Sequence, residues 1–168
     1  KKAAFEQNNF KNKKIEYRIQ SLAAFSNLEF LYVENIKLDA SSLIGLYSLK
    51  SLELNYCNFE EFTSDSFRHV ANLEILKVHF SSVSSFSHID FRQLLHLKWL
   101  SLNKISSLTN LDHLSPELTV LKITSSLSQR DLSVLFKKIE HLNYLQELDL
   151  SHSNLGYFDA KYLKNMVN

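Results

Sequence analysis

Six stretches of this chain can be laid over one another on their leucines, and this self-similarity constrains the fold more than any other feature. They read NLEFLYVENIKL from Asn27, SLKSLELNYCNF from Ser48, NLEILKVHFSSV from Asn72, HLKWLSLNKISS from His96, ELTVLKITSSLS from Glu117 and YLQELDLSHSNL from Tyr144. The first aligned leucines are Leu28, Leu49, Leu73, Leu97, Leu118 and Leu145, so successive copies lie 21, 24, 24, 21 and 27 residues apart. Two further columns, Leu31/Val33 through Leu148/Leu150, are apolar in every copy. A half-copy precedes them, with Phe5, Asn8 and Phe10 in the later columns.

Within each copy, L-x-L alternates apolar and polar residues, which specifies a short strand with one buried face. Apolar residues three to five apart follow, as in Phe62, Phe67 and Val70, then Phe86, Phe91 and Leu94, then Phe158, Leu163 and Met166. These belong to a return segment on the opposite side. The longest copy carries DLSVLFKKIEHL from Asp131, whose apolar residues at 132, 135, 136, 139 and 142 have helical spacing, with Asp131 as cap or first-turn acid. One copy cannot bury its own apolar edge, so neighbours must stack on a shared core. The expected fold is an α/β solenoid, a curved arc of about seven repeats with a parallel β-sheet on its concave side. At ~4.8 Å between strands that sheet spans roughly 30 Å. Short helices or irregular turns cover the convex side. The arc occupies residues 1–168 as a partial repeat over 1–27 and repeats over 28–48, 49–72, 73–96, 97–117, 118–144 and 145–168.

Composition removes most alternatives. Only Gly45 and Gly156 are glycine, so a phosphate loop, a dinucleotide fingerprint or a G-x-S-x-G elbow cannot be written here. Cys57 is the single cysteine, which excludes an internal disulfide and a Cys-rich metal site. The longest stretch free of Asp, Glu, Lys and Arg, Val78 to Ile89, is far short of the roughly 20 apolar residues that span a bilayer. The net charge of +1 makes no case for nucleic acid. Residues 1–20 do carry a local +4, six positive charges against two negative, which a solvated surface explains.

With its columns read as L-x-x-L-x-L-x-x-N-x-L, the chain resembles the leucine-rich repeat family, over essentially its whole length. The three copies with the longer apolar tail resemble the "typical" 24-residue repeats of animal extracellular proteins, including Toll-like receptor ectodomains. The resemblance implies a non-enzymatic recognition module. It departs from the pattern in the Asn column, which here holds Ile36, Cys57, Ser81, Ile105, Ser126 and Ser153. In the family that Asn hydrogen-bonds the turn backbone, so irregular loops are expected near Ile36 and Ile105. Cys57, in the same inward column, is expected to be a buried, inert thiol. Relatives close their ends with cysteine-rich modules, absent here. The chain is therefore expected to be a segment of a longer protein, with neighbouring repeats or caps at both ends.

Seven histidines and seven aspartates form no acid–base pair or metal-ligand spacing, so no catalytic residue, metal or cofactor is assigned. The outward strand positions are the better candidates, because the core does not need them. Phe30, Ile75, Trp99 and Val120 fall in one such column, with Tyr32, Tyr56 and Phe80 close by. Around them lie Glu53, His79, Lys77, Lys104 and Lys122, and with Lys98 the three lysines outline a basic strip. An aromatic cluster rimmed by mixed charge suits a protein partner. Acids such as Glu53 and Glu74 interrupt the strip, so a nucleic-acid partner is not favoured. The resemblance points to an innate-immune or adhesion-type receptor or a secreted recognition protein, at the cell surface or outside it, as part of a homo- or hetero-dimer in some cases. The alternative is a cytoplasmic adaptor or scaffold, which suits the lone Cys57 and the absence of any N-x-S/T acceptor among fourteen Asn.

Overall fold

The computed structural model describes residues 1–6, 18–19, 22–61, 63–79, 89, 91–103, 111–124 and 127–153. Seven of its strands form one sheet: β1 (Lys2–Glu6), β3 (Phe30–Glu34), β5 (Ser51–Asn55), β7 (Ile75–His79), β8 (Trp99–Asn103), β9 (Val120–Thr124) and β10 (Glu147–Asp149), side by side in that order. Every neighbouring pair is parallel. A parallel sheet with few helices is compatible with the α/β class.

The L-x-L alternation sets the register. Leu31 pairs with Leu52, Leu52 with Leu76, Leu76 with Leu100 and Leu100 with Leu121, and all five are fully buried. Val33, Leu54, Val78, Leu102 and Ile123 form a second inward row on the same face. A one-residue slip would turn both rows to the outside, so the hydrophobic pattern itself specifies the pairing. The six strands after β1 are each entered through a tight turn closed by a backbone bond between residues three apart. The amides of Leu28, Leu49, Leu73, Leu97, Leu118 and Leu145 donate to the carbonyls of Phe25, Leu46, Val70, Leu94, Ser115 and Leu142. All six leucines are buried beneath those turns.

On the return side, a 3₁₀ helix over Ser64–Val70 buries Phe67 and Val70, and Phe91 and Leu94 do the same in the next segment. Helix α1 (Gln129–Ile139) buries Leu132, Leu135, Phe136 and Ile139, the face its spacing announced. Its cap is Ser128, and Asp131 takes the other expected role, the acid of the first turn. The Ser128 hydroxyl accepts from the Asp131 amide at 3.3 Å while the Asp131 carboxylate accepts from the Ser128 amide at 2.9 Å, a reciprocal capping box. The Ser128 hydroxyl, which also donates to that carboxylate at 2.6 Å, and then the Ser128 amide hold the Asp131 carboxyl below its ordinary pKa. Ser128→Ala should cost about 1 kcal/mol, read as a lower urea midpoint with unchanged slope; an unmoved midpoint would mean the box contributes nothing.

A second, three-stranded parallel sheet was not anticipated. It consists of β2 (Arg18–Ile19), β4 (Lys37–Asp39) and β6 (Asn58–Glu61), in that order. Next to Ile36 the chain is strand rather than loop, but the expected irregularity is present in part: the β4–β6 register shifts between Lys37 and Asp39. The Ile36 carbonyl accepts from the Asn58 amide at 3.1 Å, so backbone pairing supplies what the Asn side chain would have. Ile36 itself is buried. Ile105 lies outside the described residues, as do Ser81 and Ser126 of the same column. Strand β4 ends in a local turn, where the Asp39 carboxylate accepts from the Ser41 amide and hydroxyl at 2.8 and 2.7 Å. Just beyond it, Gly45 sits at φ 88°, and a Cβ there would lie 2.5 Å from the Cα of Ala23. Only glycine satisfies both demands.

Candidate interaction surface

With the leucine rows committed inward, the alternate strand residues form the outer face. The register aligns Phe30, Ser51, Ile75, Trp99, Val120 and Glu147 in one row, and Tyr32, Glu53, Lys77, Ser101, Lys122 and Asp149 in the next. Ile75, Trp99 and Val120 occupy adjacent strands and form one continuous apolar stretch; Ser51 separates Phe30 from it. Strand alternation alone suggests more exposure than these residues have. Phe30, Ile75 and Trp99 are half-buried, and Val120 retains only 9% of its surface. The reason is lateral: parallel strands set row neighbours about 5 Å apart, so large side chains cover one another.

Trp99 is the centre of this stretch. The Lys122 ammonium lies 5.1 Å from its ring centroid and is itself held by Glu147 at 2.5 Å. The indole Nε1–H is fully enclosed yet has no hydrogen-bond acceptor among the described residues. Leaving such a donor unmade costs about 1–3 kcal/mol. A second orphan, the Asn55 side-chain oxygen, lies on β5.

The basic strip inferred from the sequence is largely neutralised. Lys77 reaches Glu53 at 3.3 Å, Lys122 reaches Glu147, and Lys98 reaches Glu74 at 3.1 Å from a position before its strand. Lys104 and Phe80 lie outside the described residues. A polar network borders the aromatic row instead. The Asn55 amide donates to the Tyr32 hydroxyl at 3.1 Å, which donates to Glu34 at 2.5 Å. His79 lies 3.2 Å from the Ser101 hydroxyl, and burial, reinforced by Lys77 and opposed by Glu53, holds its imidazole below the ordinary pKa. It is therefore neutral at pH 7. Glu34, Ser101 and Glu147 were missed as surface partners, although their columns were readable; what signalled them was charge and hydroxyl complementarity between adjacent strands.

Immediately after the strands, Asn35, Tyr56 and His152 share one column and one unusual backbone, with φ of 57°, 55° and 66°. Asparagine tolerates the left-handed region, whereas for an ordinary side chain it costs roughly 1–2 kcal/mol. Tyr56 bears that strain while 53% exposed. Tyr56→Asn should stabilise the free chain by about 1 kcal/mol, seen in the urea midpoint. A loss of stability would mean that ring contacts outweigh the relief.

Cys57 is 1% exposed, its thiol donates to the Asn55 carbonyl at 3.4 Å, and burial pushes its pKa up to about 11. A neutral, enclosed thiol is no nucleophile. Among the described residues no group of three or more His, Cys, Asp or Glu could hold a metal ion, and no helix is long and apolar enough to cross a membrane. Compared with models of known protein families and with curated proteins, the chain matches none.

Proposed function

We propose that this chain is a leucine-rich repeat arc whose concave face, the outer face of the large sheet, binds a protein partner without catalysis. The reading rests on the six sequence copies, on their parallel and consecutive strands, and above all on the Ile75–Trp99–Val120 stretch across adjacent strands. No inward leucine row requires tryptophan there, and interface centres favour large rigid rings with a polar tip. The setting we favour is an extracellular recognition protein or receptor ectodomain of innate-immune or adhesion type. A cytoplasmic scaffold is the second reading, supported by the reduced, buried Cys57.

The test places a photo-crosslinking residue at Ser51, on the outer face beside Ile75, and in a control at Lys137, on the exposed side of α1. Exposed to extracellular fluid and, separately, to cytosol from the source cells, the Ser51 probe should capture a discrete protein that the Lys137 probe does not. The compartment of that protein separates the two settings. Equal capture from both positions would refute the assignment of the face.

A further inference from the structure

The residues that immediately precede the strands make a second ordered surface, on the rim where the chain enters the sheet. Glu29, Lys50, Glu74 and Lys98 occupy the same place before β3, β5, β7 and β8, as the backbone bonds from Lys50 to Glu29, Glu74 to Lys50 and Lys98 to Glu74 establish. Their charges alternate strictly. Lys1 precedes them in the row, and the neutral Thr119 follows. Glu74 sits between its two lysines, 4.0 Å from Lys50 and 3.1 Å from Lys98, and the bond from Lys98 holds its carboxyl below the ordinary pKa. These side chains line an open groove of about 490 Å³ together with Tyr47 and His96. Large apolar side chains stand exposed on the turns above it: Phe25, Tyr47 and Leu95.

Neighbouring charges on adjacent strands would account for alternation as support of the stack, but exposed pairs contribute only about 0–1 kcal/mol each. Of the apolar residues beside them Tyr47 sets its ring 6.3 Å from that of His69, yet Tyr47, Phe25 and Leu95 all remain exposed. A minus-plus-minus-plus row becomes its own complement when read backwards. A uniformly acidic or basic partner would meet as many repulsions as attractions on it, whereas the same rim turned through a two-fold axis meets attraction at all four rungs.

We propose that this rim pairs with the rim of a second copy of the chain about a two-fold axis passing between Lys50 and Glu74. Glu29 then faces Lys98 of the second copy and Lys50 faces Glu74, while Lys1 falls opposite Thr119 and meets no like charge. Above the row, Leu95 comes against the turn that carries Phe25, and Tyr47 against the small Ala71. Four rungs span only about 14 Å, roughly half the width of a standard patch of ~800 Å² per partner, so the dimer is weak, concentration-dependent and sensitive to salt. This surface is separate from the outer sheet face and leaves it open to another partner.

The experiment is sedimentation equilibrium on the full chain across about two decades of concentration, at low and high salt. A monomer–dimer equilibrium that stops at two and weakens with salt is expected. Glu74→Lys should raise the dimer Kd at least tenfold. Reversing all four charges (Glu29→Lys, Lys50→Glu, Glu74→Lys and Lys98→Glu together) should restore it, because every pair survives with its sign exchanged. Wild type and the fourfold variant should not associate with each other. Leu95→Asp changes an exposed side chain and should abolish the dimer with an unaltered thermal melt, so it decides the matter if Glu74→Lys does not fold. A strictly monomeric chain, open-ended association, or a dimer indifferent to Glu74→Lys or Leu95→Asp would overturn the proposal.

Discussion

Phe67→Ala should cost the fold about 3–5 kcal/mol, the largest effect expected of any single truncation discussed for this chain. Phe67 and Phe91 are both fully buried, come from consecutive return segments, and set their rings 6.3 Å apart at 30°. Each fills space that the leucine rows of the sheet leave open behind them. Removing one ring forfeits its transfer from water and its contacts with the other ring, and the cavity cannot close without moving two segments. In urea, the midpoint should fall while the slope stays constant. Phe67→Leu, which retains most of the volume, should cost clearly less. If the alanine variant loses under about 1 kcal/mol, the interior behind the sheet is loosely packed.

The second large effect is on binding. Trp99→Ala should weaken the partner complex by about 2 kcal/mol or more, roughly a thirtyfold rise in Kd. The ring offers apolar area between Ile75 and Val120, and it carries the Lys122 ammonium, worth about 0.5–1 kcal/mol at an exposed site. Because Trp99 is half-buried rather than exposed, the variant should also lose some stability, more than an outward side chain would. Trp99→Phe separates the two roles. It keeps a ring and removes the unsatisfied N–H, so the free chain should be no less stable and gain up to about 1 kcal/mol. Because the ring is retained between Ile75 and Val120, the same variant should keep most of the binding. Calorimetric melts beside a titration measure both. A Trp99→Ala chain that melts far lower yet binds normally would make the residue a core element and end the proposed role of this face.

Much of the framework was readable because parallel strands with one buried face obey a period of two. Leu31, Leu52, Leu76, Leu100 and Leu121 fall in register for the reason that they align in the sequence. The helical spacing after Asp131 was equally plain, but its cap required knowing that the Ser128 hydroxyl, one turn back, meets the Asp131 amide and carboxylate. Three things were hidden. The near-complete burial of Val120 depends on the bulk of its row neighbours, which alternation does not count. The left-handed column at Asn35, Tyr56 and His152 carries no glycine to mark it. The β2–β4–β6 strands are only two, three and four residues long, too short for an alternation such as Lys37-Leu38-Asp39 to mark them as strands in the sequence. On the outer face, Ile75, Trp99 and Lys122 could be placed from their columns. The pairing of Lys77 and Lys122 with acids needed cross-strand geometry.

The order of strands in the large sheet has a consequence for how the molecule opens. Each strand pairs only with those nearest in sequence: Lys2 and Phe30 are 28 residues apart, Phe30 and Ser51 are 21, and Val120 and Glu147 are 27. No pairing among these seven strands joins residues more than 28 apart, so loop closure is about equally demanding at every step. Folding can begin wherever a few neighbours meet and then spread outward in both directions. Amide exchange should follow that geography, slowest in β5, β7 and β8 and faster towards β1 and β10. A lesion such as Phe67→Ala should raise exchange around β5 and β7 before it is felt in α1, a graded response along the sheet rather than a uniform loosening.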